Sequence, residues 1–182
     1  MRVCVVSFSG RTEGNCANIA QEVAACFEGE RVVLFDLSER LLKPCGGCEG
    51  ECFSDRKLCP HHDDAEFELL DAMTYSDLVI FIVPNYCEYP GALYFAFNER
   101  SLCYFSGHEE LLERYERVRK RFIVVSGEDR THFEEIFRQQ TNGETPEILM
   151  LNASAYGKVS VAGDLMDAPE ARKAVWEFIT KQ

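Results

Sequence analysis

Basic residues are scarce: 19 Lys and Arg stand against 31 Asp and Glu, a formal charge of -12. So acidic a chain repels nucleic acid phosphates and the anionic face of a membrane, and neither is expected as a partner. Long apolar runs are missing as well. The run that starts at Val3 ends after four residues at Ser7, too short for the core of an export signal, and no segment approaches the length of a membrane span. A cytoplasmic protein is the expectation. Internal repeats, low-complexity tracts and linker-like stretches are also absent. Residues 1–182 therefore read as a single domain with room for a substantial core. Cysteine, by contrast, is plentiful. The count of nine is odd, so complete internal pairing is impossible, and with no export signal reduced thiols are expected. Cys4 in an apolar run, and Cys16 and Cys26 in a helical segment, read as small buried apolar groups.

Five short runs rich in β-branched or aromatic residues read as buried strands: Val3 to Phe8, Val32 to Leu37, Leu78 to Val83, Phe122 to Val125 and Ile148 to Leu151. Helical periodicity fills the intervals at Asn15 to Phe27, Asp64 to Tyr75 and Gly91 to Cys103, with a weaker stretch at His132 to Gln140. Pro169 sits at the first turn of a closing helix. "SGHEELLERYERVRKR" reads as an additional charged surface helix. Regular alternation of strand and helix implies an α/β doubly wound domain, a parallel sheet with helices on both faces. Ligands in such a fold bind at the carboxyl ends of the strands.

The loop after the first strand, "SFSGRTEGN", offers the hydroxyls of Ser9 and Thr12, the Arg11 guanidinium, Gly10 and Gly14, and a helix start near Asn15. Those groups suit a phosphate. Two nucleotide signatures are nevertheless lacking. No Lys follows Gly14, which excludes a P-loop, and the two glycines do not make G-x-G-x-x-G. The loop after the third strand runs from Pro84 to Pro90, with Asn85, Tyr86, Cys87, Glu88 and Tyr89 between them. Two aromatic rings among polar groups suit a flat heteroaromatic ligand. After the fourth strand, "VVSGEDR" brings Ser126, Gly127 and Glu128 to a third strand end.

The first two loops resemble those of the flavodoxin-like NAD(P)H-dependent FMN reductase family. The likeness covers Met1 to about Arg130. It implies a three-layer sandwich around a five-stranded parallel sheet of order 2-1-3-4-5. It also implies FMN as cofactor, with Ser9, Arg11, Thr12, Gly14, Asn15 and Cys16 around the phosphate, Pro84 to Tyr89 along the flavin, and Ser126 to Glu128 as a third contact. NADH or NADPH would be the co-substrate, and a homodimer would close the site. Cys16 stands where relatives often carry Thr or Ser. Asn85 stands where an apolar residue is common.

The stretch from 43 to 60 holds Cys45, Cys48, Cys52 and Cys59 in the spacing C-x2-C-x3-C-x6-C. Four thiolates suit an iron-sulfur cluster or a tetrahedral zinc. The single C-x2-C knuckle argues against zinc, and redox-active free thiols are the third reading. His61 and His62 read as exposed. The motif also resembles that of iron-sulfur flavoproteins, which implies a 4Fe-4S cluster passing single electrons from the flavin to an acceptor. The function expected is an FMN-dependent oxidoreductase in which no side chain acts as nucleophile or base. The rivals are a non-enzymatic flavin electron carrier and a zinc-stabilised domain without flavin.

Overall fold

The computed structural model describes residues 1–40, 42–128 and 132–181. Strands β1 (Arg2–Ser7), β2 (Arg31–Asp36), β3 (Leu78–Tyr86), β5 (Arg119–Ser126) and β6 (Glu147–Asn152) pair in parallel in the order β2-β1-β3-β5-β6. A sixth strand, β4 (Tyr89–Pro90), is short and pairs antiparallel with the end of β3. The expected five-stranded order is therefore present with one addition. Tyr86 and Tyr89 pair across a two-residue turn whose members, Cys87 and Glu88, have φ of +52° and +72°. Positive φ at both central positions matches the right-handed twist of the flanking strands. The segment after β3 is thus a hairpin, where the sequence reads as an open loop.

Period-two alternation sends neighbouring residues to opposite faces. Val3 and Val5 face one core with Ile80, Ile82, Leu151 and the buried residues of α1 (Asn15–Cys26) and α6 (Pro169–Thr180). Cys4, Val6 and Phe8 face the other, against α2 (Ala65–Thr74) and α3 (Ala92–Phe105). On that second face Phe8, Phe81, Phe122 and Phe137 stack across successive elements at centroid distances of 5.7, 4.8 and 4.1 Å. Phe137 belongs to α5 (Phe133–Phe137), so the weakly periodic segment is a short helix locked by its aromatics. This is the flavodoxin-like α/β fold.

The charged helix α4 (Glu109–Arg117) is shorter than its sequence suggests, because Arg119, Lys120 and Arg121 open β5. Lys120 and Arg121 are buried, and each finds carbonyls. Lys120 Nζ donates to Tyr115 O at 2.6 Å and Val118 O at 3.2 Å, at the end of α4. Burial pushes its ammonium down to about 8. Arg121 donates to Ile179 O at 2.6 Å and to Lys181 O, at the end of α6. Cations at helix carboxyl ends satisfy unpaired carbonyls and oppose the macrodipole. A run that reads as a solvated helix thus starts a central strand and ties down two helix ends.

Candidate functional site

The carboxyl ends of β1, β3 and β5 bring the three loops together. Ser9, Arg11, Gly14, Asn15 and Cys16 from the first loop line one small cavity with Pro84, Asn85 and Tyr86 from the second. Asn85 Nδ2 donates to Ser126 Oγ at 2.8 Å, and Ser126 N-caps its own turn by accepting from Glu128 N at 3.0 Å. Asp129 and Arg130 of the quoted third loop lie outside the described residues. Larger hollows exist, one of about 520 Å³ beside Arg119, Lys120 and Glu147. That hollow lies at the amino ends of β5 and β6, the end opposite to where this topology binds ligands.

The first loop leads into a helix start of the kind that can receive an anion. Helix α1 begins after Gly14, no side chain caps it, and its first turn holds no acidic residue. Its leading N–H groups therefore lack a capping side chain at Gly14, at the positive end of a 12-residue helix whose first residues line the cavity. Ser9 is buried and its Oγ accepts from Arg11 N at 3.2 Å, which fixes the turn, while the Arg11 and Thr12 side chains are exposed. Cys16 is fully enclosed, and burial, with Asp36 nearby, pushes its thiol up to about 12, so it is an uncharged wall. Cys4 is held up to about 12 by burial alone. Cys26, expected to be buried, is exposed at the last turn of α1.

Asn15 has a different task from its neighbours. Its Nδ2 donates to Ser160 O at 2.8 Å and its Oδ1 accepts from Leu165 N at 2.9 Å. Asn18 Nδ2 adds a bond to Gly163 O at 2.6 Å. These bonds strap the segment after β6 across the cleft, where Ser160 and Val161 form a further wall. Gly163 has φ of +81°, and a Cβ there would collide with the Glu13 carbonyl oxygen, so the strap approaches as closely as backbone allows. The enclosed volume is about 30 Å³. That is room for a water-sized group, and a ring system lies outside it. The strap is about 145 residues distant from Asn15 in the chain, and no local spacing announces it.

The hairpin supplies the aromatic surface. Tyr86 and Tyr89 are about half exposed at the cleft's edge. Its tip is anchored from α5: Glu88 Oε2 pairs with His132 Nε2 at 3.1 Å, and the Tyr89 ring lies 5.8 Å from the imidazole. His132 is a neighbour of the site that the sequence reading assigned only to a helix.

The cysteine stretch differs in exposure along its length. Cys45 and Cys48 are exposed, whereas Cys52 and Cys59 are buried against Cys103 of α3 and Phe67. Among the described residues no group of three or more His, Cys, Asp or Glu is arranged to hold a metal ion. Of the four cysteines expected as a ligand set, two are exposed and two are buried. Cys59 is held to α3 by Arg100, whose guanidinium donates to Lys43 O at 3.1 Å, His61 O at 3.0 Å and Cys59 Sγ at 3.9 Å, and pairs with Asp64. His62 is exposed, as expected, and His61 is half-buried.

Comparison with known proteins agrees with this geometry. Residues 1–115 match the model of the NADPH-dependent FMN reductase family. No curated protein matches the chain in sequence. The fold is similar to that of the Trp repressor binding protein from Bacillus subtilis, at a TM-score of 0.61 and 13% identity over 100% of this chain and 99% of that one. It is similar also to FerB, a flavoenzyme NAD(P)H:(acceptor) oxidoreductase from Paracoccus denitrificans, at 0.56 and 15% over 99% and 97%. An azoreductase from Bacillus anthracis gives 0.59 and 11% over 97% and 99%. Among the described residues no helix is long and apolar enough to cross a membrane.

Proposed function

The chain belongs to the NADPH-dependent FMN reductase family and is an NAD(P)H-dependent flavin reductase, and from that premise we propose how its loops divide the work. The uncapped start of α1 is the observation that carries the reading, because it opens on the cleft beside two exposed tyrosines. When bound, FMN supplies the redox chemistry, accepting hydride from NADH or NADPH and yielding electrons to an acceptor. The chain's own groups bind and orient. The N–H groups of α1, with Ser9, Arg11, Thr12 and Gly14, hold the phosphate. Pro84 to Tyr89 offer one face to the ring, with Asn85 positioned by Ser126, and Gly127 and Glu128 border the same edge. Asn15 and Cys16 act differently, one as the latch of the 159–165 strap and the other as an apolar wall.

The cysteine stretch has no part in this scheme. Among the described residues no group of three or more His, Cys, Asp or Glu is arranged to hold a metal ion, and we route no electron through one. A second copy of the chain, docking on exposed Tyr86, Tyr89 and Phe95, would enclose the ring, and sedimentation velocity of the FMN-loaded protein should then give a dimer. Residues 1–182 act as one domain in this reading, since both cores draw on one sheet from Val3 to Ile179.

Steady-state oxidation of NADH or NADPH by the purified, FMN-loaded protein tests the function. Absence of turnover with either nucleotide would leave only an electron carrier. Arg11→Ala is expected to weaken FMN binding about 10- to 100-fold, the worth of one charge-assisted hydrogen bond. Riboflavin, which lacks the phosphate, should bind both proteins alike. Equal losses for the two ligands in fluorescence titrations would place the phosphate elsewhere.

A further inference from the structure

Cys103 belongs to none of the chemistry above, yet it is buried with Cys52 and Cys59 in a small apolar cluster apart from both main cores. The three thiols pack together, and none of them is in a disulfide. Cys52 and Cys59 differ in how they are held. Cys59 has a partner one turn earlier on α3, where Arg100 Nη2 donates to its sulfur at 3.9 Å. Cys52 has no such anchor, and its turn is set against the end of α3 by a bond from Ser106 Oγ to Phe53 O at 3.4 Å. Residue 52 is therefore registered against the 103–106 turn, and residue 59 against position 100.

We propose that Cys52 and Cys103 are a redox pair that closes to a disulfide and staples the cysteine loop to α3. The oxidant is hydrogen peroxide. Cys52 sulfur, giving up its proton, attacks one peroxide oxygen; the O–O bond breaks and the first water leaves, so that Cys52 becomes a sulfenic acid. The Cys103 thiol then attacks that sulfur, the S–O bond breaks, the S–S bond forms and a second water leaves with the thiol proton. Two thiols lose two electrons and two protons, and peroxide becomes two waters. Cys52 and Cys103 each keep 7% of their surface exposed, which gives a small oxidant access.

The staple joins positions far apart in the chain and fixes a loop otherwise held by Arg100 and by short turns. Cys103 stands eleven residues beyond Ala92 on α3, about 16 Å along the axis from the hairpin. The pair responds to a diffusible oxidant, and its closure does not depend on the functional reading given above.

Full-length protein freed of reductant, treated with hydrogen peroxide, alkylated and digested without reduction tests the pairing. Fragment masses are expected to join Cys52 to Cys103, with Cys59 recovered alkylated. The thermal midpoint should rise on oxidation and fall back with dithiothreitol. Cys52→Ala and Cys103→Ala should each abolish that rise, and Cys26→Ala should leave it intact. The mapping on the unaltered chain decides the pairing even where a variant fails to fold. Alkylation of both Cys52 and Cys103 after peroxide, a different partner for Cys103, a cross-link without a thermal shift, or stoichiometric iron and sulfide in the protein as purified would overturn the proposal.

Discussion

Glu66→Gln is expected to stabilise the protein by about 3 kcal/mol at pH 7, a gain that disappears near pH 4.5. Glu66 is fully buried on α2, and neither carboxyl oxygen has a hydrogen-bond partner among the described residues. Burial pushes its pKa from 4.5 to about 9; Arg100 opposes the rise, and Asp64 and Cys59 add to it. The folded state therefore retains a proton that the unfolded chain releases above pH 4.5. Stability attributable to Glu66 is complete below that value and is lost as pH rises toward about 9. Two and a half units of mismatch at pH 7, at about 1.4 kcal/mol each, set the magnitude. Glutamine keeps the shape and cannot ionise.

Urea unfolding of both proteins from pH 5 to 8 isolates the effect. Lys120, whose pKa is lowered to about 8, contributes the opposite slope only above that pH. The buried thiols of Cys4 and Cys16 enter higher still. Parallel stability curves for the two proteins across this window would contradict a protonated Glu66.

Arg100→Leu is expected to destabilise the protein by about 3–5 kcal/mol, the usual consequence of leaving one partner of a buried pair alone. The side chains of Arg100 and Asp64 are 2% and 1% exposed. Asp64 is also the N-cap of α2, accepting from Glu66 N at 3.0 Å, and it accepts from Lys43 N at 3.0 Å. Its carboxylate would keep these neutral donors and lose its only cationic partner among the described residues. Arg100→Lys should recover little, since an ammonium cannot span Lys43 O, His61 O, Cys59 and Asp64 together. Arg100→Leu with Asp64→Asn should recover part of the loss by removing the stranded charge. Denaturant titration gives the energies. The alkylation rate of Cys59 under native conditions reads the loop directly, and it should rise in Arg100→Leu. An unchanged rate would mean that the loop is held by other contacts.

These two residues also mark where sequence reading stops. The α/β order and the meeting of loops at the strand ends were legible because they rest on local rules. Apolar runs of strand length, helix periodicity between them, and glycine with hydroxyl residues before a helix all act over a few positions. Arg100 sits in a helical stretch of "FNERSLCYF" and looks like any exposed arginine, and Glu66 looks like any acidic residue in a first turn. Their burial follows from how α2 and α3 pack, and Arg100 finds its partners more than 30 residues away.

The same limit separates the outcomes of the individual loops. By itself the sequence determined the strand and helix alternation, the sheet order implied by its family likeness, and the acceptor-poor helix start at Gly14. Tertiary structure decided that Lys120 and Arg121 open a strand, that Asn15 holds a strap at Ser160, and that Glu88 meets His132. It decided as well that two of the four clustered cysteines are exposed while two are buried with Cys103. Spacing along a chain limits which thiols can meet, but burial against α3 and the pull of one guanidinium select which ones do.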